Sequence, residues 1–402
     1  MSFDVDALRT HFPSLASGIA HFDGPGGTQT PREVADAIAA TLTSPLSNRG
    51  RGVPSETNAD ESVRAFRVAY ADLLGVPPEG IVHGRSATQL TYDFARALAK
   101  EWSPGDEVVV TRLDHDANVR PWVQVAATVG VRVRWIDFDP ATAELDPGSI
   151  ADAITDRTRL VAVTAASNLL GTKPPLARIA AAAHAVGALV YVDGVHYTAH
   201  QFVDVAALGA DLFVCSPYKF LGPHCGVLGA SPDLLETVLP DKLLPSTNVV
   251  PERFELGTLP YEVLAGATAA VDFLAGIAPA GATTRREQLR ATLAAVDEHE
   301  LRLRQRLVAG LAALAPNALV HSVAADRTPT LLVTFPGRRC WDAYEFLAAR
   351  SVLAPAGSFY AYEPFTRLGL ADDHALRIGL APYNDDSDVD RVLAALRDFL
   401  LG

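Results

Sequence analysis

The chain has 402 residues, enough for two to three domains and a well-filled core. Apolar residues make up 49% and charged residues 20%, and Gly with Pro reaches only about 14%, which excludes disorder and collagen-like repeats. The formal net charge of −13 gives no electrostatic footprint for nucleic acid or for an anionic membrane surface.

Cys215, Cys225 and Cys340 are an odd set with no CxxC pair. No disulfide framework or metal site is expected, and a reducing cytoplasm is the natural location. The N-terminus MSFDVDALRTHFPSL lacks a basic stretch followed by an apolar one, so no secretory signal is read. The apolar run Ile179–Val192 contains His184 and Gly187 and is shorter than the ~20 residues a bilayer requires.

In chain order, the segment Ser2–Arg51 precedes the first strong βα unit and is expected to pack back on the domain it leads into. Strands are predicted at Val108–Leu113, Val131–Phe138, Arg159–Ala165, Leu189–Val192 and Leu212–Cys215, each a short β-rich run bounded by turn residues. Helices are predicted between them at Ala117–Val129 and Leu176–Val186, the latter ended by Gly187. This alternation implies a mostly parallel sheet covered on both faces. Beyond it, Thr284–Leu314 reads as one long helix. Strands at Leu319–Val323 and Thr330–Phe335, a helix at Trp341–Arg350, a strand at Leu376–Leu380 and a closing helix from Ser387 (as N-cap) to Leu400 follow. The pattern is α/β followed by α+β. It divides into an arm (1–20), a large domain (21–275) and a smaller C-terminal domain (276–402), with part of the N-terminal segment able to pack on the latter.

The sequence has only four lysines. Lys100 ends a helix, Lys242 lies in the loop PDKLLP, and Lys173 precedes two prolines. Lys219 directly follows the buried strand LFVC, at the carboxyl end of a parallel strand, where α/β folds place ligands. Asp193 ends the preceding strand, YVDG, and a carboxylate buried there needs a cationic or N–H partner. Read singly, Lys219 is also a surface-loop lysine and Asp193 a helix N-cap. Together they fit a pyridoxal phosphate site, in which a lysine Schiff base is paired with an acid facing the ring nitrogen.

The stretch VDGVHYTAHQFVDVAALGADLFVCSPYKFLGP resembles the class V aminotransferase family, specifically its cysteine desulfurase and selenocysteine lyase branch. FDGPGGTQTP, GRSATQLTYDFARAL, DHDANVRPW, SNLLGT, FELGT and LRIGLAPYN are similar to further family segments in the same order. The resemblance implies the fold type I of pyridoxal phosphate enzymes, with a mostly parallel seven-stranded sheet and a small C-terminal domain. It implies that Lys219 holds the cofactor aldehyde, Asp193 pairs with the pyridine nitrogen and His115 stacks on the ring. Asn168 would lie near the phenolic oxygen and the substrate, and His196 would bond the phenolic oxygen. Ala87, Thr88, Ser216 and Tyr218 would serve the phosphate. Thr258 would reach the phosphate of a neighbouring subunit, which implies a homodimer with shared sites. Arg377 would bind the α-carboxylate of an amino-acid substrate. On their own, His115 also reads as a loop histidine, Asn168 as a turn residue, Ser-Ala-Thr at 86–88 as an ordinary helix cap and Arg377 as a surface residue on an edge strand.

Two departures bear on the reaction. The stretch VLAPAGSFYAYEPF, where desulfurases carry a nucleophilic cysteine on a mobile loop, has Tyr360 in that place. Tyr218 replaces the histidine common before the lysine, and Pro355 stands near the place of a family arginine. The expectation is a C–S β-elimination lyase acting on cysteine, a cysteine S-conjugate or a related amino acid, with Phe359, Tyr360, Tyr362 and Phe365 available to line a pocket. A desulfurase using another thiol, an epimerase, an aminotransferase, a decarboxylating deaminase and a non-catalytic scaffold with the same fold are the alternatives.

Overall fold

The computed structural model describes residues 3–277, 281–370 and 374–402. Its central feature is a seven-stranded sheet in the order Ile81–Gly84, Gly226–Ala230, Leu212–Cys215, Leu189–Asp193, Thr158–Thr164, Glu107–Thr111 and Arg132–Ile136. Gly226–Ala230 runs antiparallel to both neighbours, and the other pairings are parallel. The inner strands read as continuous apolar runs because helices cover both faces: Val108–Val110, Leu160–Val163, Val190–Val192 and Leu212–Val214 are all buried. Asp193 sits at the middle of this sheet's carboxyl edge, opposite Thr164 on one side and Val214 on the other.

The predicted strands and helices are present with trimmed ends. Val131–Phe138 is interrupted after Ile136: Asp137 accepts a hydrogen bond from the next amide, Phe138, and pairs with Arg367, so the chain turns there. Ala117–Val129 begins as a 3-10 turn, and the α-helix starts at Arg120 with Pro121 in its first turn. Gly187 has φ +75°, as the end of the Leu176–Ala185 helix requires. The closing helix is capped two residues earlier than expected. Asp385, not Ser387, is the N-cap, and its carboxylate and the Asp388 side chain exchange hydrogen bonds with each other's backbone amides.

A second, antiparallel sheet holds Leu319–Val320, Thr330–Thr334, Ala375–Gly379 and Ala356–Gly357 in that order. The helix Arg285–Ala312 joins the two regions. It is capped reciprocally by Thr284 and Glu287, gives Leu289 to the large core, and gives Leu303, Leu307 and Leu311 to the small one. The N-terminal segment bridges them too. Leu8 and Phe12 enter the large core, whereas Ala20 and Phe22 enter the small one beside the parallel pairing of Ala20–His21 with Val352–Leu353. No helix among the described residues is long and apolar enough to cross a membrane.

Candidate active site

The carboxyl edge of the large sheet opens into a cleft lined by Ala87, Thr88, His115, Asn168, Asp193, His196, Ser216, Tyr218 and Lys219, nine of the twelve residues singled out in the sequence. Ser86, Thr91, Ala117, Thr164, Ala166 and Val195 complete the lining. Three lie outside: Arg377 behind Asn168, Tyr360 at the rim, and Thr258 on a different, exposed surface beside His83 and Glu255.

Lys219 ends a 3-10 turn, Pro217–Lys219, that springs from the strand Leu212–Cys215. It is 6% exposed, so it is no surface-loop lysine. The other three lysines have ordinary partners: Lys100 and Lys173 pair with Asp241 and Asp326, and Lys242 donates to the Ser246 carbonyl. Burial and the nearby charge of Arg377 lower the Lys219 amine to about 8, against a smaller opposing pull from Asp193. A desolvated amine of this kind is available as a nucleophile and base near neutral pH.

Asp193 is buried, and its Oδ1 accepts from the Val195 amide at 2.9 Å. Burial raises its pKa, while that amide and the Lys219 charge hold it down. A cation against this carboxylate would keep it ionised. Asp114 lies just below, fully buried, bonded to the Thr111 hydroxyl and the Asn118 amide. Burial pushes its carboxyl up to about 8, so Asp114 is mostly protonated at neutral pH.

His115 is lowered to about 3 by burial and by the charges of Lys219 and Arg377, so its ring is neutral. Its Nδ1 accepts from the Ala117 amide at 3.0 Å, and the ring proton is therefore on Nε2. The ring is held by its own turn and not left in a free loop. Asn168 donates through Nδ2 to the Phe359 carbonyl at 3.0 Å, and its Oδ1 is buried without a partner. The Nε2 of His196 is within hydrogen-bond distance of the Thr328 and Thr330 hydroxyls, and its Nδ1 is likewise buried and unpartnered. Two orphaned polar atoms on residues lining one cleft call for a polar ligand.

The helix Ala87–Leu98 points its N-terminus into the same cleft. Ser86 caps it by accepting from the Gln89 amide, and the first amides are open to an anion. Gly226 makes this approach possible: a Cβ there would lie 2.4 Å from the Ser86 carbonyl carbon and 2.6 Å from the Ala87 nitrogen. The cap reading of this triplet is borne out, and it leaves room for the anion reading beside it. These features fit pyridoxal phosphate: an anion cradle, a buried carboxylate for a ring N–H, two orphaned atoms for a phenolic oxygen and a desolvated amine for the aldehyde.

Arg377 is on an inner strand of the small sheet and 3% exposed, so the edge-strand alternative does not hold. Its guanidinium donates to the Asn168 carbonyl at 3.1 Å and to Asp23 Oδ1 at 2.8 Å, and stacks 3.9 Å from the Phe359 ring centroid. Its Nε has no partner. Asp23 is not recognisable in this role from sequence, since its partner is 354 residues away. The same holds for Asp114 and Gly226, whose roles come from burial and close backbone approach. An acid next to His115 was visible, but its burial was not. Phe359 and Tyr360 have φ +56° and +54°. Two successive side-chain-bearing residues in the left-handed region cost about 1–3 kcal/mol each and persist only when surrounding bonds fix them. Here the Phe359 carbonyl is held by Asn168 and the Tyr360 carbonyl accepts from the Asp116 amide at 2.8 Å.

The family model described as aminotransferase class-V matches residues 20–392. The aminotransferase-like protein FGM3 of Gibberella zeae is 30% identical, over 98% of each chain. The solved structure of the cysteine desulfurase CsdA of Escherichia coli is 27% identical with a TM-score of 0.86, covering 100% of this chain and 99% of that one. A structure of a C-DES variant with glycine covalently linked to its pyridoxal phosphate shares the fold: TM-score 0.80, 21% identity, 97% of this chain and 99% of that one.

Proposed function

The chain belongs to the class V aminotransferase family, in its cysteine desulfurase-like branch, and is a pyridoxal phosphate-dependent enzyme of fold type I; we propose that its reaction is C–S β-elimination from cysteine, a cysteine S-conjugate or a related amino acid, without a protein persulfide. The observation that carries this reading is the placement of the thiols. The sequence holds three cysteines, and all three are buried: Cys215 and Cys225 in the large core and Cys340 in the small one. Burial pushes Cys225 up to about 12 and raises Cys215 well above the usual thiol range, so neither offers a thiolate. At the rim, where a relay thiol would meet the substrate, stands Tyr360.

Lys219 would hold the cofactor aldehyde, Asp193 its ring nitrogen, His196 and Asn168 its phenolic oxygen, and the Ala87–Thr88 amides with Ser216 its phosphate. When bound, pyridoxal phosphate supplies the electron sink that acidifies the substrate Cα–H. Lys219 Nζ, once free, takes the Cα proton, because its lowered pKa leaves about half of it neutral near pH 8. Arg377, fixed by Asp23 and Phe359, receives the α-carboxylate. His115 caps the cleft as a neutral ring and neither supplies nor takes a proton near neutral pH. The Cβ–S bond breaks with the thiol as leaving group. Overall, an S-substituted cysteine and water give the thiol, pyruvate and ammonium.

Thr258, exposed and away from the cleft, supports a homodimer in which it serves the neighbouring site. Three free thiols fit a cytoplasmic location. Incubation of the holoenzyme with cysteine and S-substituted cysteines, followed by mass spectrometry, tests the reaction. Thiol and pyruvate in equal amounts support the lyase; inverted amino acid alone would establish an epimerase, and an oxo acid retaining its sulfur an aminotransferase.

A further inference from the structure

Beside the cleft lies a second, open hollow lined by Asp116, Arg120, Ser358, Phe359, Tyr360 and Tyr362. It adjoins the cleft where Asp116 follows His115 and where the Tyr360 ring stands 5.7 Å from the His115 ring, tilted by 32°. Its charges are already matched. Arg120 donates to Asp116 at 2.6 Å and to Glu363, and Glu363 also receives Arg112 at 2.8 Å. The hollow therefore has no unpaired side-chain charge with which to select a charged ligand. What it offers is aromatic surface: Tyr360 is 80% exposed and Tyr362 61%.

The exposure of Tyr360 is enforced. Its backbone and that of Phe359 are in the left-handed region, held there by the Asn168 and Asp116 bonds. The two rings diverge: Phe359 turns inward under Arg377, while Tyr360 turns outward at the rim beside His115. A strained backbone that presents a large ring to solvent, against the His115 ring that lines the cleft, is the arrangement expected of a binding platform.

We propose that Tyr360, with Tyr362 beside it, selects the leaving group, and that the preferred substrates are cysteine thioethers whose sulfur carries a planar aromatic or heteroaromatic substituent. This deepens the lyase reading and rests on it. The substituent projects from the cleft over the His115–Tyr360 rim and stacks in the hollow. Free cysteine and S-methylcysteine reach the same reacting position and leave the platform unused.

The test compares S-phenyl-L-cysteine with S-methyl-L-cysteine on the pyridoxal phosphate-loaded enzyme. Binding is followed by the change in cofactor absorbance and turnover by thiol release. The expected result is a Kd and KM about tenfold lower for the phenyl compound, a ratio that falls towards one in Tyr360→Ala and is retained in Tyr360→Phe, since stacking needs the ring and not the hydroxyl. Equal constants for the two compounds, or the same ratio in Tyr360→Ala as in the parent, would overturn the proposal while leaving the lyase reading intact. Tyr360-dependent binding of the phenyl compound with no thiol released would support the platform and overturn the lyase reading.

Discussion

The floor of the site and its rim are built on different principles. The floor comes from strand ends of the large sheet: Asp193 and the turn carrying Ser216 and Lys219 are fixed by neighbours buried on both faces. Its reactive groups are tuned by desolvation, with Lys219 lowered and Asp193 raised. The rim comes from the segment Ala356–Glu363 beside the small sheet, fixed by hydrogen bonds to Asn168 and Asp116, by the ion pairs of Glu363 with Arg112 and Arg120, and by two left-handed residues. The floor supplies chemistry common to many amino-acid reactions. The rim carries an aromatic ring and no thiol, and on the proposal above it decides which substituent reaches the floor.

The largest effect expected on this comparison is at the floor. Lys219→Ala removes both the amine that holds the aldehyde and the base, and turnover falls by about 10²–10⁴-fold. Borohydride reduction followed by peptide mapping places the cofactor adduct at residue 219 in the parent and finds none in the variant. The same amine sets a pH dependence. Its pKa is lowered to about 8, so the neutral form dominates above that pH and is lost below it. In stopped-flow mixing of cofactor-free protein with pyridoxal phosphate, uptake rises from pH 6, is half-maximal near pH 8 and levels off above about pH 9; a rise continuing beyond pH 10 would mark an ordinary exposed lysine.

Gly226→Ala tests the anion cradle. The new Cβ meets the Ser86–Ala87 backbone and must displace the helix start. Overpacking of this kind costs about 1–3 kcal/mol. Equilibrium dialysis should therefore show cofactor binding weakened by about tenfold, whereas phosphate-free pyridoxal binds as in the parent.

The smallest effect is at the rim. Glu363→Gln removes the charge that Arg112 and Arg120 share, and these arginines are partly exposed, so the loss is about 1 kcal/mol. The urea midpoint falls slightly with the slope preserved. A change in midpoint as large as that of a core truncation would mean that the loop is part of the folding core and not an appended wall.

How much of this was legible in sequence follows from the same contrast. Strand runs such as LVYVD and LFVC declare themselves by apolar continuity, and chemistry at their ends follows from position alone. Lys219, Asp193, His115 and the Ser86–Thr88 turn could all be found in this way or through the family resemblance. The Asp23–Arg377 pair could not, because it joins opposite ends of the chain through tertiary structure. Nor could the backbone of Phe359 and Tyr360, since neither residue type signals a positive φ. Asp385 displaced Ser387 as helix cap because Asp388 answers it from the first turn, a reciprocal bond that a single favoured residue type does not reveal.

The most direct test of thiol-free C–S cleavage is product analysis with uniformly ¹³C-labelled L-cysteine and S-phenyl-L-cysteine on the holoenzyme, read by NMR and by intact-protein mass. The account predicts labelled pyruvate with ammonium and free thiol, and no added sulfur on Cys215, Cys225 or Cys340. Labelled alanine, together with a persulfide on any of the three, would contradict it.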